Sequence, residues 1–263
     1  MKDQKNLAVC VVVDAKFLFK YFKNFINSLE LKGKYKGDIV VITSWFTPTF
    51  LVFKTFNKNI KIYRFRRIKF TKKTENYLKS IPSLPGAPNR HITKNFQWHK
   101  LHLFNEKLKK WKYIFYLDVN MIIHSDINPI LQKKMKDSLL ARADAFPNYD
   151  RTLNTQFYED SQFFNQLKTE YDLSSKRYFQ TGLMLFDTNI IKPEMFNDLI
   201  QIVEKYPCSK TNEQGILNLY FLKKPGLYVE LPSHIDENLL TYYYWRLEDK
   251  LIIITKQNVE QYK

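Results

Sequence analysis

The chain has 263 residues, enough for the core of one large α/β domain, and no low-complexity linker divides it. Its two cysteines, Cys10 and Cys208, lie far apart and exclude a disulfide framework or a zinc site, which favours a reducing compartment. The formal charge of +16 would attract phosphates, anionic membrane surfaces or nucleic acid, but a lysine-rich composition with solvated lysines explains it equally well.

The apolar segments are too short for membrane targeting. The first, residues 7–13, falls short of a signal-peptide core, and no later segment reaches the ~18 uninterrupted apolar residues of a membrane span. We therefore expect a soluble protein of the cytoplasm.

In the first part of the chain, predicted strands alternate with helices. A β-branched run at 7–13 is suited to a buried parallel strand, and helical spacing of apolar residues follows over 17–29. Further strands are predicted at 38–43 and 60–65. This order predicts an α/β fold with a mostly parallel central sheet and helices on both faces. Ligands of such sheets bind at the carboxyl ends of the strands, where Val13, Asp14 and Ala15 lie.

A proline-rich loop at 79–90 precedes a predicted helix at 96–111. The helix has one apolar face, and three lysines are left on its polar side: Lys100, Lys107 and Lys110. A lysine in such a position is ordinarily just solvated.

Residues 113–130 contain the strongest signal in the chain. An apolar run of strand length ends in Asp118-Val119-Asn120, and a second apolar run follows. Alternate side chains of an extended chain share a face, so Asp118 and Asn120 point one way while their neighbours point into the core. An isolated Asp-x-Asn is usually a turn or a strand end. Between two apolar runs it places two oxygen donors on a rigid support.

The second part of the chain has two further motifs. In Tyr178–Asp187 a glycine precedes an apolar strand, which indicates backbone passing close to a ligand. Residues 212–221 read as a helix that starts at Glu213 and Gln214. A scaffold helix is predicted from Pro193 to before Pro207, and strands are predicted at 139–145 and 251–255. Residues 151–176 are polar and rich in aromatic side chains, and suggest a lid or an acceptor-binding insertion.

These motifs, in this order, resemble the GT-A glycosyltransferases of family 8, which have a Rossmann-like fold. The resemblance covers nearly the whole chain. It implies that Asp118 lies beside the metal and the ribose, that Gln180 lies under the anomeric carbon of the donor sugar, and that Glu213 or Gln214 contacts sugar hydroxyls. Lys100 would reach the nucleotide or its phosphates, with Arg90 or Lys94 assisting, and Asp144 is either a sugar contact or a surface residue. The predicted catalytic residues are Gln180 and Glu213, and the predicted nucleotide-sugar and cofactor contacts are Ala8, Val13, Asp14, Ala15, Lys100, Asp118, Val119, Asn120, Gln214 and Lys256.

The chain departs from the family pattern at the metal site. Asn120 stands where the family has a carboxylate, so a hard cation loses charge and a bidentate ligand. The family's terminal His-x-x-Gly-x-x-Lys-Pro-Trp segment does not follow the last strand. His124 and His234 are substitutes for its histidine, although a lone histidine is more often structural, and Lys256 is the candidate for its lysine. We expect Asp118 and Asn120 to bind Mn²⁺, or Mg²⁺, more weakly than the family norm.

The resemblance implies transfer of a hexose, glucose or galactose, from a UDP-sugar to a hydroxyl of a glycan or protein acceptor, with retention of configuration. One domain, residues 1–263, would hold a nucleotide-binding part at 7–130 and an acceptor-side part at 131–263. A catalytically weakened module that binds sugar nucleotides or glycans is the alternative. A nucleic-acid-binding protein fits the charge, but no binding motif supports it. The sequence leaves the oligomeric state open, a homodimer included.

Overall fold

The computed structural model describes residues 6–50, 59–81, 95–236, 239–243 and 251–256. Within them the strands are β1 Leu7–Val12, β2 Asp38–Ser44, β3 Ile60–Phe65, β4 Tyr113–Leu117, β5 Met121–Ile123, β6 Leu139–Ala143, β7 Phe179–Asp187, β8 Tyr228–Glu230, β9 Leu239–Tyr243 and β10 Leu251–Lys256. The α-helices are α1 Ala15–Leu31, α2 Lys72–Ser80, α3 Asn128–Leu131, α4 Phe164–Glu170, α5 Met195–Lys205 and α6 Glu213–Leu222. Short 3-10 helices span Asn95–Phe104, Glu106–Lys110, Leu153–Gln156 and Thr188–Ile190.

The central sheet has seven strands in the order β3-β2-β1-β4-β7-β6-β8. β7 runs antiparallel to both of its neighbours, and every other pair of neighbours is parallel. The carboxyl ends of the other strands therefore share one edge with the amino end of β7. We call it the carboxyl edge. A smaller sheet, β5-β10-β9, lies beside the main one.

Helices cover both faces of the main sheet, which confirms the predicted α/β architecture. α1 buries one apolar face against one side of the sheet, through Leu18, Phe22, Phe25, Ile26 and Leu29. The Asp14 carboxylate caps this helix by accepting a hydrogen bond from the Phe17 backbone N–H at 2.7 Å. The Asn95–Phe104 segment, α5 and α6 fill the opposite side. Among the helices of the described segments, none is long and apolar enough to cross a bilayer.

The segment predicted as one helix at 96–111 is instead two 3-10 helices, which meet at Asn105. In a 3-10 helix residues three apart lie on the same side, so Lys100 shares a side with the fully buried Leu103. The expectation that Lys100 lies on the polar side with Lys107 and Lys110 was therefore wrong. Lys107 and Lys110 are exposed, whereas only 6% of Lys100 is exposed.

Two histidines of the same segment are buried against aromatic rings. The His102 ring lies between Phe65 and Phe196, with ring centroids 4.2 Å and 4.9 Å away and nearly parallel planes. His99 stacks on Phe96 at 4.4 Å. Burial, supplemented by the charge of Arg67, lowers the pKa of His99 to about 4. Burial, supplemented by His99, lowers the pKa of His102 to about 3. Both rings are neutral at neutral pH.

We expect these histidines to make the fold sensitive to acid. In the unfolded chain they titrate near pH 6.5, so the unfolded state takes up protons first as the pH falls. Their contribution to stability is full above about pH 6.5 and is lost progressively towards pH 3 to 4. Urea unfolding between these pH values should show a loss of several kcal/mol, and His102→Phe should reduce that slope relative to wild type. Equal slopes would contradict this assignment.

Candidate functional site

Asp118 and Asn120 lie on the turn between β4 and β5, at the carboxyl edge. The Asp118 backbone N–H donates to the Gly182 carbonyl at 2.8 Å, which joins the turn to β7. Val119 and Met121 are buried, while Asp118 and Asn120 are only partly buried. The alternation predicted from the sequence is thus present, and both oxygen donors stand on a support fixed from two sides.

β7 carries a bulge beside this turn. Ala141 pairs with Met184 and Ala143 with Phe179, so two steps along β6 correspond to five steps along β7. The extra residues include Gln180, Thr181 and Gly182. Bulges redirect side chains next to functional sites. Here the bulge brings the Thr181 hydroxyl to Lys100 and Glu213. Gln180 precedes Thr181 in the chain.

A buried cluster of charges lies directly under the turn. Lys100 Nζ is 2.9 Å from Asp118 Oδ1 and 2.9 Å from Glu213 Oε1. Only 6% of Lys100 and 1% of Glu213 are exposed. Burial by itself lowers the pKa of Lys100, but the charges of Asp118 and Glu213 outweigh burial and raise it above its usual value. Lys100 is therefore a fixed positive charge that ties the β4 end to α6.

Two hydroxyl groups that the sequence reasoning missed complete this cluster. Tyr116 OH donates to Asp118 Oδ1 at 2.5 Å, and Thr181 Oγ1 donates to Glu213 Oε1 at 3.1 Å. Burial raises the pKa of Tyr116, and the Asp118 charge raises it further, so the hydroxyl keeps its proton. Tyr116 precedes Asp118 by two residues in an extended chain, so the same alternation could have revealed it.

The start of α6 orients Glu213 and Gln214. The Gln214 amide is held at both ends: Oε1 accepts from the Thr181 backbone N–H at 3.2 Å, and Nε2 donates to Gln156 Oε1 at 2.9 Å. Gln156, in the segment read as a lid or insertion, also accepts from the Thr211 hydroxyl at 2.8 Å. It had no recognisable signal in the sequence. Glu213 Oε2 is buried and has no hydrogen-bond partner among the described residues.

Gly215 and Asn218 lock α6 onto its surroundings. A Cβ atom on Gly215 would lie 2.5 Å from Ser209 Oγ and 3.1 Å from the Phe157 ring, so a larger residue would have to displace both side chains. Asn218 accepts from the Phe179 N–H at 2.7 Å and donates to the Phe179 carbonyl at 2.8 Å. These contacts fix the helix start relative to the β7 bulge.

For the other predicted nucleotide-binding residues, the described part of the structure shows their position in the sheet but no contact with the Lys100 cluster. Val13 and Asp14 end β1, beside β4, and Ala15 begins α1, so all three lie at the carboxyl edge. Ala8 is fully buried inside β1, opposite Ile114 and away from that edge. The backbone of Lys256 pairs with Met121, and its side chain lies outside the described part. Arg90 and Lys94 also lie outside it.

His124 and His234, the candidates for the family's metal-binding histidine, contact residues away from the turn, and so does Asp144. His124 Nε2 is 2.7 Å from Thr255 Oγ1 on the small sheet, and His234 Nδ1 is 2.9 Å from Ser233 Oγ. Asp144 faces Arg151 at 3.9 Å. None of these contacts reaches Asp118 or Asn120.

The donor set at the turn fits a hard divalent cation. Asp118 Oδ1 is engaged by Lys100 and Tyr116, so Oδ2 and the Asn120 amide oxygen are the atoms that would hold an ion, and oxygen donors suit Mn²⁺ and Mg²⁺. Within the described segments no three His, Cys, Asp or Glu side chains are grouped closely enough to hold a metal. A bound ion would thus depend on few protein ligands.

Comparison with known proteins identifies the family. The profile of glycosyl transferase family 8 matches residues 12–234, well over half of the chain. The chain belongs to this family. This confirms the predicted membership, and it assigns the protein to glycosyl transfer. Divalent metals are typical of this family. No protein in a curated sequence set matches the chain significantly.

Solved glycosyltransferase structures share the fold. An active-site glutamine-to-glutamate mutant of LgtC is 12% identical, has a TM-score of 0.63, and is matched over 95% of this chain and 87% of LgtC. Mouse xyloside xylosyltransferase 1 is 12% identical, with a TM-score of 0.56 and 97% of both chains covered. GlyE of Streptococcus pneumoniae TIGR4 is 14% identical, with a TM-score of 0.53, over 86% of this chain and 45% of GlyE. At such low identity these matches establish the fold alone, and the GT-A fold class predicted from the sequence is confirmed.

Removing the charge of Lys100 should destabilise the fold. Lys100→Met leaves Asp118 and Glu213 facing each other in a buried site without a cation, and breaking a buried ion pair typically costs about 3–5 kcal/mol. The matched control is Lys110→Met, because Lys110 is exposed on the following 3-10 helix. Its effect should stay within about 0.5 kcal/mol in urea unfolding. A Lys100→Met variant as stable as this control would contradict the buried cluster.

Proposed function

We propose that this glycosyltransferase transfers a hexose, glucose or galactose, from a UDP-sugar to a hydroxyl acceptor, with retention of configuration. The observation that carries the proposal is the buried Lys100–Asp118–Glu213 cluster at the carboxyl edge, between the Asp118–Asn120 turn and the α6 start. It joins the predicted nucleotide-side and sugar-side residues within one network of contacts. Free, buried cysteines agree with a reducing compartment such as the cytoplasm.

The site divides naturally between donor and acceptor. We infer that residues 7–130 hold the nucleotide, since Val13, Asp14, Ala15 and Val119 end or follow the neighbouring strands β1 and β4. Residues 131–263 contribute Gln180, Glu213 and Gln214, and would hold the sugar and a glycan or protein acceptor. The unpaired, buried Oε2 of Glu213 supports this role, because an unsatisfied carboxylate oxygen is costly unless a ligand hydroxyl donates to it.

The departing diphosphate must be neutralised as the anomeric C–O bond breaks. A divalent ion, Mn²⁺ or Mg²⁺, held by Asp118 and Asn120 would supply Lewis-acid stabilisation of that charge. Lys100 orients the Asp118 carboxylate through its 2.9 Å contact. Lys256 is the last residue of β10, and its backbone pairs with Met121 of β5, directly after the Asp118–Asn120 turn, which supports its assignment to the diphosphate.

Retention is what the resemblance to family 8 implies, and two amide groups of this chain are consistent with it. Gln180, at the β7 bulge, would stabilise the positive charge on the sugar ring, although an amide is a poor nucleophile, so a front-face return of the acceptor is favoured over a covalent intermediate. Gln214 is a second amide, fixed by Thr181 and Gln156. An active-site glutamine is also named in the LgtC mutant structure, which is consistent with an amide role.

Ligand-induced stabilisation tests the donor class. Melting temperatures should be recorded with a panel of nucleoside diphosphates and nucleotide sugars, with and without manganese. A donor present at about 100 times its dissociation constant should add about 2.7 kcal/mol of stability. We expect a shift for UDP and for one UDP-hexose that increases with manganese. If no nucleotide shifts the transition and glycans do, the alternative of a glycan-binding module replaces the transferase.

The substitution Asn120→Asp tests the metal site. It restores a carboxylate beside Asp118 and should tighten manganese binding by about tenfold, because ligand charge sets affinity for hard cations. Asn24→Asp is the matched control, since Asn24 is exposed on α1 and gains the same charge outside the turn. Manganese titration of both variants in the presence of UDP gives the comparison. Equal affinities in the two variants would show that Asn120 does not contact the ion.

A further inference from the structure

One part of the carboxyl edge, away from the charge cluster, exposes an unusual set of aromatic side chains. They follow the neighbouring strands β1 and β2, where the Val13 N–H donates to the Ile42 carbonyl at 2.9 Å. Large exposed apolar groups that lie together mark interaction surfaces, whereas scattered ones do not. The exposed fractions are 37% for Phe17, 58% for Phe19, 60% for Trp45, 97% for Phe46 and 63% for Phe50.

Basic side chains surround these rings. Lys16, Lys20 and Lys23 are exposed on α1 at helical spacing, so they form one stripe with Phe19. On the other side, Ser44 pairs with Phe65, which sets the loop after β2 beside the exposed Arg66 and Arg67. No Asp or Glu occurs in residues 15–29, 44–50 or 63–71. This region is therefore predominantly positive around an apolar centre, with the carboxylates of Asp14 and Glu204 at its border.

The centre itself is an uncharged loop tip, residues 45–50. Its threonines turn inward: Thr47 and Thr49 are 5% and 1% exposed, with their hydroxyls engaged by Ser44 and Arg64. Trp45, Phe46 and Phe50 are left as its outward groups. Aromatic groups at a tip with cations at its rim suit the boundary between lipid headgroups and acyl chains. A single-stranded nucleic acid instead needs a groove that combines cations with the stacking rings, and residues 45–50 contribute no charged side chain of their own.

We propose that this aromatic and basic surface docks the protein on a bilayer that carries anionic headgroups. Trp45, Phe46 and Phe50 enter the headgroup region, and the α1 lysines contact the anionic lipids. The surface shares its edge with the Asp118–Asn120 turn, so docking brings that turn close to the membrane. If the proposed transferase function holds, docking therefore brings the site close to acceptors in the membrane. The docking itself does not depend on that function.

Vesicle co-sedimentation of the full chain tests the proposal, with phosphatidylcholine vesicles containing or lacking about 30% phosphatidylglycerol. Wild type should bind only the anionic vesicles, and less at about 300 mM than at about 50 mM salt. Trp45→Ser/Phe46→Ser and Lys16→Gln/Lys20→Gln/Lys23→Gln should each weaken binding by at least about tenfold. Every substituted side chain is exposed, and unfolding curves check that the variants fold.

Matched controls come from the opposite edge of the sheet. Leu31→Ser/Met135→Ser removes exposed apolar groups, and Lys32→Gln/Lys133→Gln/Lys136→Gln removes the same number of charges. Both should bind vesicles like wild type. The tryptophan emission should also shift to the blue on anionic vesicles, and Trp45→Phe should remove that shift without removing binding.

Two outcomes would overturn the proposal. One is vesicle binding that is absent, or that both sets of variants weaken equally. The other is loss of polynucleotide binding in the Trp45→Ser/Phe46→Ser variant with no change on vesicles. Neither outcome bears on the nucleotide-sugar experiment, which reads a different ligand.

Discussion

The buried ammonium of Lys100 is the interaction on which the site depends. Asp118 and Glu213 come from distant parts of the chain and would repel each other if Lys100 did not lie between them, 2.9 Å from each. Such an arrangement is costly to desolvate, and it is tolerated where every charge is paired and hydrogen-bonded. The Tyr116 and Thr181 hydroxyls donate further bonds to Asp118 Oδ1 and Glu213 Oε1, whereas Glu213 Oε2 has no partner among the described residues. Since the two carboxylates raise the pKa of Lys100, its ammonium keeps its charge over the whole physiological range.

The antiparallel strand β7 explains why these groups meet. In an all-parallel sheet the strand beside β4 would also present its carboxyl end at this edge. Because β7 runs the other way, its amino end lies there, and its bulge delivers Thr181 to Lys100 and Glu213. Asn218 then bonds both backbone groups of Phe179, so α6 cannot shift without moving the strand. Glu213 and Gln214 are positioned by the fold rather than by a flexible loop.

Local patterns in the sequence predicted most of the fold and part of the site. The strands β1, β2, β3 and β10 follow from apolar runs of strand length, and Asp118 and Asn120 follow from their place at a strand end. The burial of Lys100 could not be read from the sequence, because it depends on a 3-10 winding that tertiary packing imposes on a segment of helical spacing. Gln156 could not be found either, because it reaches Gln214 across 58 residues of chain. Contacts of that separation leave no periodic signal.

The charge balance of the cluster bears on the role of the metal. Two carboxylates and one ammonium give a formal charge of −1 at the Asp118–Glu213 cluster, and Asn120 adds none. A carboxylate at position 120 would make it −2 and hold a cation more strongly. A site with a formal charge of −1 would still repel the diphosphate of the proposed donor. Lys100 contacts both carboxylates, but its single positive charge neutralises only one of them. A positive charge must come from elsewhere as the leaving group departs. In the proposed function, Asn120 would therefore weaken the hold on a divalent ion without removing the chemical need for one.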